Sequence, residues 1–190
     1  MRSPAVRQLQ YLGEVFRETL ATVRPGSLVV VGCATGNGFE HIPPETARVV
    51  GVDLNPDYLE LARRRHSARL AGLELLATDL LRAGARVGRV DLVHCALVLE
   101  YVDPVAAITE MSAWLAPGGV LSLVLQLPSP EHAAITPTPF DSIKALSPLM
   151  RLVAPGVVAG AASACGLAPL MTRVDTLPSG KQFHVARYRR

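Results

Sequence analysis

Residues whose type and spacing can do chemistry concentrate in the first hundred positions of this 190-residue chain. The run Leu28-Val29-Val30-Val31 is followed at once by Gly32-Cys33-Ala34-Thr35-Gly36-Asn37-Gly38. Small residues just past an apolar strand let a backbone approach a ligand closely, and amides exposed in such a turn can hold an anion. A second run, Arg48-Val49-Val50-Gly51-Val52, ends on Asp53, 21 residues beyond Gly32. A carboxylate there can accept both hydroxyls of a ribose. The pair points to a nucleotide-like ligand at the carboxyl ends of neighbouring strands. A nicotinamide fingerprint requires glycines at 32, 34 and 37, where the chain has Ala34 and Asn37, and the Gly-Lys-Ser/Thr of a phosphate-binding P-loop is absent.

A third group follows the fourth apolar run, where His94, Glu100 and Tyr101 are the candidate general bases. His94 alternates with apolar Val93 and Cys95, which suits a hydrogen-bonded core histidine better than a base, and Glu100 can also be read as a solvated residue ahead of the Asp103 cap. Cys33, Cys95 and Cys165 have neither metal-ligand nor redox spacing, so neither a zinc site nor a disulfide framework is indicated. The 19 basic residues include only two lysines, and the arginines gather only briefly, at Arg63-Arg64-Arg65 and near the end. Such runs suit a solvated helix face better than a nucleic-acid footprint.

The elements that must position these groups alternate in type. Ser3-Pro4, Asn55-Pro56 and Asp103-Pro104 each pair a capping side chain with proline at the first helical position. The first is followed by an apolar stripe through Val6, Leu9, Leu12, Phe16, Leu20 and Val23, stopped by Arg24-Pro25-Gly26. Between and after these helices, Leu28–Val31, Val49–Val52, Leu73–Leu76, Val90–Val93 and Val120–Leu125 read as buried strands. Leu170–Leu177 and Phe183–Tyr188 flank Pro178-Ser179-Gly180-Lys181 as a hairpin, and helices are predicted around Asp141–Leu152 and Val157–Ala164. The pattern predicts one α/β domain, with a doubly wound, mostly parallel seven-stranded sheet closed by an antiparallel C-terminal hairpin.

With these residues in place, the chain resembles class I S-adenosylmethionine-dependent methyltransferases of the small, single-domain type. Val31–Gly38 with Asp53 is similar to the first two motifs of that family, Thr78-Asp79-Leu80 to its adenine contact, and Asp91–Leu97 to its fourth strand and the loop under the methyl donor. Leu115-Ala116-Pro117-Gly118-Gly119-Val120 is similar to the turn before its fifth strand, so the likeness runs from about Leu28 to Gln126. It implies S-adenosyl-L-methionine as cofactor, S-adenosyl-L-homocysteine as product, and donor contacts from Gly32 through Gly38, Asp53, Leu54, Thr78, Asp79, Leu80, Cys95 and Ala96. Two positions depart from the family pattern. Val30 stands where an acid is common, and Ala34 replaces the middle glycine, which preserves close approach if its φ stays negative.

The segment after the fourth strand, Cys95-Ala96-Leu97-Val98-Leu99, lacks the Asn/Asp-Pro-Pro-aromatic tetrad of enzymes that methylate base or glutamine amines. A small, partly apolar acceptor is the favoured expectation. Residues 128–165 would form an insertion covering it, with Tyr11 on the first helix a candidate to close over the donor. The other reading is a non-catalytic methyltransferase-like protein that binds a nucleotide or serves as a partner subunit. No stretch reaches the roughly 20 apolar residues of a membrane span, and the N-terminus is polar. A cytoplasmic monomer or homodimer without nucleic-acid, membrane or metal partners is therefore expected.

Overall fold

A computed structural model describes residues 4–128 and 150–190. In chain order the elements are α1 (Pro4–Val23), β1 (Ser27–Val31), a 3-10 turn (Phe39–His41), β2 (Arg48–Asp53), α2 (Pro56–His66) and β3 (Leu73–Ala77). Then come α3 (Gly84–Val87), β4 (Val90–Ala96), α4 (Pro104–Ala113), β5 (Leu115–Gln126), α5 (Pro155–Ala164), β6 (Ala168–Thr176) and β7 (Gln182–Arg189). The strands form one sheet in the order β3-β2-β1-β4-β5-β7-β6. β1 through β5 run parallel, whereas β7 lies antiparallel between β5 and β6. The expected doubly wound sheet with a terminal hairpin is present.

The helix starts follow from their caps. Asn55 accepts N–H bonds from Asp57 and Tyr58, Asp103 accepts one from Ala106, and a proline follows each cap. Alternate strand residues then face two separate cores. Val29, Val31, Val50, Val93 and Leu121 pack beneath α3, α4 and α5. Leu28, Val30, Val49 and Leu92 pack against Phe16 and Leu20 of α1 and Leu59 of α2. Strand order reverses between β1 and β4, the place where ligands of open α/β sheets bind.

Three expectations need revision. Met150–Ala154 are not helical, and the rest of the helix foreseen around Asp141–Leu152 lies outside the described residues. Arg151 instead donates its N–H to the Glu100 carbonyl, a long-range bond in place of a helical one. Pro155–Ala164, read as part of a covering insertion, is a packed helix whose Val158, Ala161 and Ala162 are buried in the core beneath α4. β5 also begins earlier than its apolar run. Leu115 pairs with Val90, and after an irregularity regular pairing resumes at Val120 opposite Leu92.

Candidate functional site

A cleft of about 100 Å³ opens at the β1/β4 reversal. Leu9, Leu12, Gly13 and Phe16 of α1 form one wall, Val30, Val31, His94 and Ala96 of the two strands form its floor, and Gly32, Cys33, Asn37 and Gly38 close the end. Glycine is required at two of these loop positions. Gly32 has φ +66, and a Cβ there would stand 2.4 Å from Val98 Cγ2; Gly38 has φ +85, with Phe16 Cδ1 only 3.0 Å from a Cβ. The loop thus lies between the α1 aromatic ring and the chain leaving β4, with Gly32 and Asn37 exposed.

Ala34 departs from expectation, because its φ is +45 and not negative. It tolerates this left-handed conformation at a steric cost. Its N–H donates to Asp53 Oδ2 at 2.9 Å, while Asn55 N–H donates to Asp53 Oδ1 at 2.9 Å. Asp53 therefore pins the glycine loop to the end of β2, and each oxygen keeps a further lone pair. Leu54, the next residue, is 74% exposed, an apolar side chain held in water beside that carboxylate. Thr78 N–H bonds to the Asp53 carbonyl, which brings the β3 exit alongside. Asp79 caps the following turn through Leu81 N–H.

Not every sequence candidate presents its side chain here. Leu80 is 5% exposed and Cys95 1% exposed, both within the α4-side core. The Cys33 side chain is buried too, and burial with the Asp53 charge pushes its thiol up to about 12. These three can serve a ligand only through their backbones. Thr35 points toward α2, where Arg65 donates to its hydroxyl, and a Cβ on Gly36 would collide with His66. Tyr11 also turns away from the cleft, since its ring packs on Phe183 and its hydroxyl donates to Asp175. Phe16 takes the position beside the loop.

The three base candidates separate. His94 lies in the cleft floor, stacked on Phe16 with ring centroids 4.6 Å apart, and its Nδ1 is 3.2 Å from Ser122 Oγ. Burial, reinforced by Arg187, pushes its imidazole down to about 4, so the ring is neutral at neutral pH. Glu100 sits beyond β4, 1% exposed, with Oε1 accepting Gln126 N–H at 2.8 Å. Among the described residues its Oε2 has no hydrogen-bond partner, and burial raises its pKa. Tyr101 is half-buried beside it, raised by burial and by the Glu100 charge. No group of three His, Cys, Asp or Glu among the described residues is placed to hold a metal.

The methyltransferase domain pattern matches residues 29–123, from the middle of β1 into β5 and across this whole loop cluster. The chain belongs to the methyltransferase domain family. A ubiquinone biosynthesis O-methyltransferase of Vibrio parahaemolyticus is 33% identical over 93 residues, covering 47% of this chain and 39% of that relative. The chain thus matches well under half the length of this curated relative. Among solved structures, the N-methyltransferase NodS of Bradyrhizobium japonicum with S-adenosyl-L-homocysteine superposes with a TM-score of 0.73 at 21% identity, covering 98% of this chain and 88% of that one. Magnesium protoporphyrin IX methyltransferase of Synechocystis, also with bound S-adenosyl-L-homocysteine, gives 0.76 at 14% identity, covering 100% and 88%. At such identities these two structures speak for the fold: a Rossmann-like methyltransferase sheet.

Proposed function

We propose that this methyltransferase domain binds S-adenosyl-L-methionine and transfers its methyl group to a small-molecule acceptor. The observation that carries the reading is the joint placement of the Gly32–Gly38 loop, Asp53 and exposed Leu54 around the reversal point of the sheet. Asp53 has lone pairs left for two ribose hydroxyls, Leu54 offers an apolar surface to a purine, and the floor between β1 and β4 suits the amino-acid tail. The relatives with bound S-adenosyl-L-homocysteine support the same ligand.

When bound, the sulfonium supplies an electrophilic methyl group for in-line displacement. The domain's own contribution is alignment and exclusion of water. His94 is assigned to the donor side, because it lies in the cleft floor and is locked against Phe16 and Ser122. Glu100 and Tyr101 are assigned to the acceptor side. The chain between β5 and α5 leaves beside Gln126, whose N–H is held by Glu100, and returns at Arg151, held by the Glu100 carbonyl. Both ends of that stretch are therefore anchored around Glu100, which supports residues 128–150 as the acceptor cover. Once ionised, the Glu100 carboxylate, with one oxygen unpartnered among the described residues, can take a proton from an acceptor hydroxyl or amine.

Calorimetric titration with S-adenosyl-L-methionine, S-adenosyl-L-homocysteine and NAD, followed by an acceptor screen, tests the proposal. Micromolar binding of both sulfur nucleosides without NAD binding is expected. Tight NAD binding with no response to the sulfonium would overturn it.

A further inference from the structure

The turn between β6 and β7 carries a buried charge to which donor binding gives no task. Lys181, one of two lysines in the chain, is only 7% exposed. Taking an ammonium out of water is costly unless an opposite charge and further hydrogen bonds replace its hydration. Among the described residues Lys181 Nζ has one partner, the neutral Gln8 Oε1 at 3.3 Å, and no ion pair. Asp175, which faces Phe183 across the hairpin, is already taken by Arg173 and Tyr11. Burial accordingly pulls the Lys181 ammonium below its ordinary range. An ammonium has three N–H donors, so two are left without a protein acceptor among the described residues.

The fold brings this amine to the carboxyl end of β5, beside the cleft. Gln8 stands one turn before Leu12 on α1, about 6 Å along the helix axis, and Leu12 lines the cleft. Leu177, whose N–H donates to the Lys181 carbonyl at 2.8 Å, belongs to the same apolar cluster as Leu12, Ala96 and Leu97. On the sheet side, Lys181 lies two residues before Phe183, and Phe183 pairs with Gln126 at the end of β5. The Gln126 N–H is in turn held by Glu100. Lys181 and Glu100 therefore flank the end of β5, one from the turn before β7 and one from the chain leaving β4.

We propose that Lys181 Nζ binds an anionic group of the methyl acceptor, a carboxylate or a phosphate, so that the acceptor is an acidic small molecule. This rests on the methyl-transfer reading of the cleft. A neutral acceptor offers no charge to offset the buried ammonium, whereas an anion supplies it and accepts from the open N–H donors. With the anion held on the β7 side, the reacting hydroxyl or amine is turned toward Glu100 on the β4 side. Bound the other way round, the anion would face an ionised Glu100.

Because the chain has two lysines, isotope labelling at lysine Cε gives two resonances, and the one lost in Lys181→Met is that of Lys181. Protein saturated with S-adenosyl-L-homocysteine is titrated with benzoate, phenyl phosphate and neutral benzamide. At least one anion is expected to bind about tenfold or more tighter than benzamide, the scale of a charged hydrogen bond, and to raise the pH at which the Lys181 signal titrates. Benzoate alone would assign a carboxylic acid, phenyl phosphate alone a phosphorylated acceptor, and a response to both the anionic class. Lys181→Met should erase the preference for the anion without lowering S-adenosyl-L-homocysteine affinity. A Lys181 signal that ignores both anions, one already neutral at neutral pH, or an unchanged preference in folded Lys181→Met would overturn the inference. Failure of the wild type to bind S-adenosyl-L-homocysteine would instead overturn the donor reading, and this inference with it. If Lys181→Met does not fold, Lys144→Arg assigns the two signals and the wild-type titration decides.

Discussion

At the residue scale, two positions in the glycine loop carry opposite consequences. Asp53 already spends one bond per oxygen on backbone N–H groups, from Ala34 and Asn55. Asp53→Asn replaces one of those acceptors by a donor facing an N–H, and it removes the charge that strengthens bonds to ribose hydroxyls. A loss of about 1.5–3 kcal/mol in S-adenosyl-L-homocysteine binding is expected by calorimetry; unchanged affinity in a folded variant would remove Asp53 from the site. Ala34, at φ +45, bears a left-handed conformation that glycine adopts freely. Ala34→Gly should therefore stabilise the domain by about 0.5–1 kcal/mol in urea denaturation, once the added freedom of the unfolded glycine is offset. A destabilised variant would show that the alanine methyl has a packing role.

His94 makes a pH prediction at the same scale. Its imidazole titrates near 4 in the folded protein against 6.5 for the ordinary group. The unfolded chain therefore binds the proton more readily between those values, and stability falls as pH drops from 6.5 toward 4. The contribution amounts to about 3 kcal/mol. Denaturant midpoints across this window should fall less steeply in His94→Leu than in the wild type, and parallel curves would contradict the burial argument.

At the element scale, α1 is fastened to the antiparallel part of the sheet by charge. Glu18 pairs with Arg187 on β7 at 2.6 Å and with Arg173 on β6 at 2.7 Å, while Arg173 also holds Asp175, which accepts from Tyr11. The Glu18 side chain is 43% exposed, so solvent screens its attraction, whereas Arg187 is 6% exposed and depends on the pair. Those arginines draw the Glu18 carboxyl down to about 2, so the clamp stabilises above roughly pH 4.5 and is lost as pH falls toward 2. Glu18→Gln should cost about 2 kcal/mol at pH 7, mostly by stranding Arg187. It should also weaken ligand binding, because Phe16, two residues away on α1, supports both Gly38 and His94. Stability equal to wild type would mean that the apolar face of α1 suffices to hold it.

At the scale of the whole molecule, five parallel strands and an antiparallel pair place the site at the sheet's centre and leave β3 and β6 as edges. Amide exchange should be slowest in β1, β4 and β5 and earlier along β6, whose Leu170 and Val174 are exposed. Pro155–Ala164 should be protected without ligand, as its burial beneath α4 requires. Addition of S-adenosyl-L-homocysteine should then raise protection at Gly32–Gly38. Rapid exchange in Pro155–Ala164 would return that helix to a covering role.

The amino-acid sequence by itself determined the order and kind of the elements, because capping pairs, apolar runs and glycine positions are local signals. It also singled out the glycine loop and Asp53, which the fold brings into contact, since the pattern of a nucleotide turn is written within some twenty residues. Tertiary structure decided everything that depends on which strands become neighbours. His94 meets Ser122 across 28 positions, Ser122 meets Thr19 across 103, and Glu18 reaches Arg173 and Arg187 across 155 and 169. Burial of Leu80 and Cys95, the turning of Tyr11 onto Phe183, and the positive φ of Ala34 were equally illegible. Each is set by packing against residues far away in the chain, and a one-dimensional pattern does not state which faces those residues share.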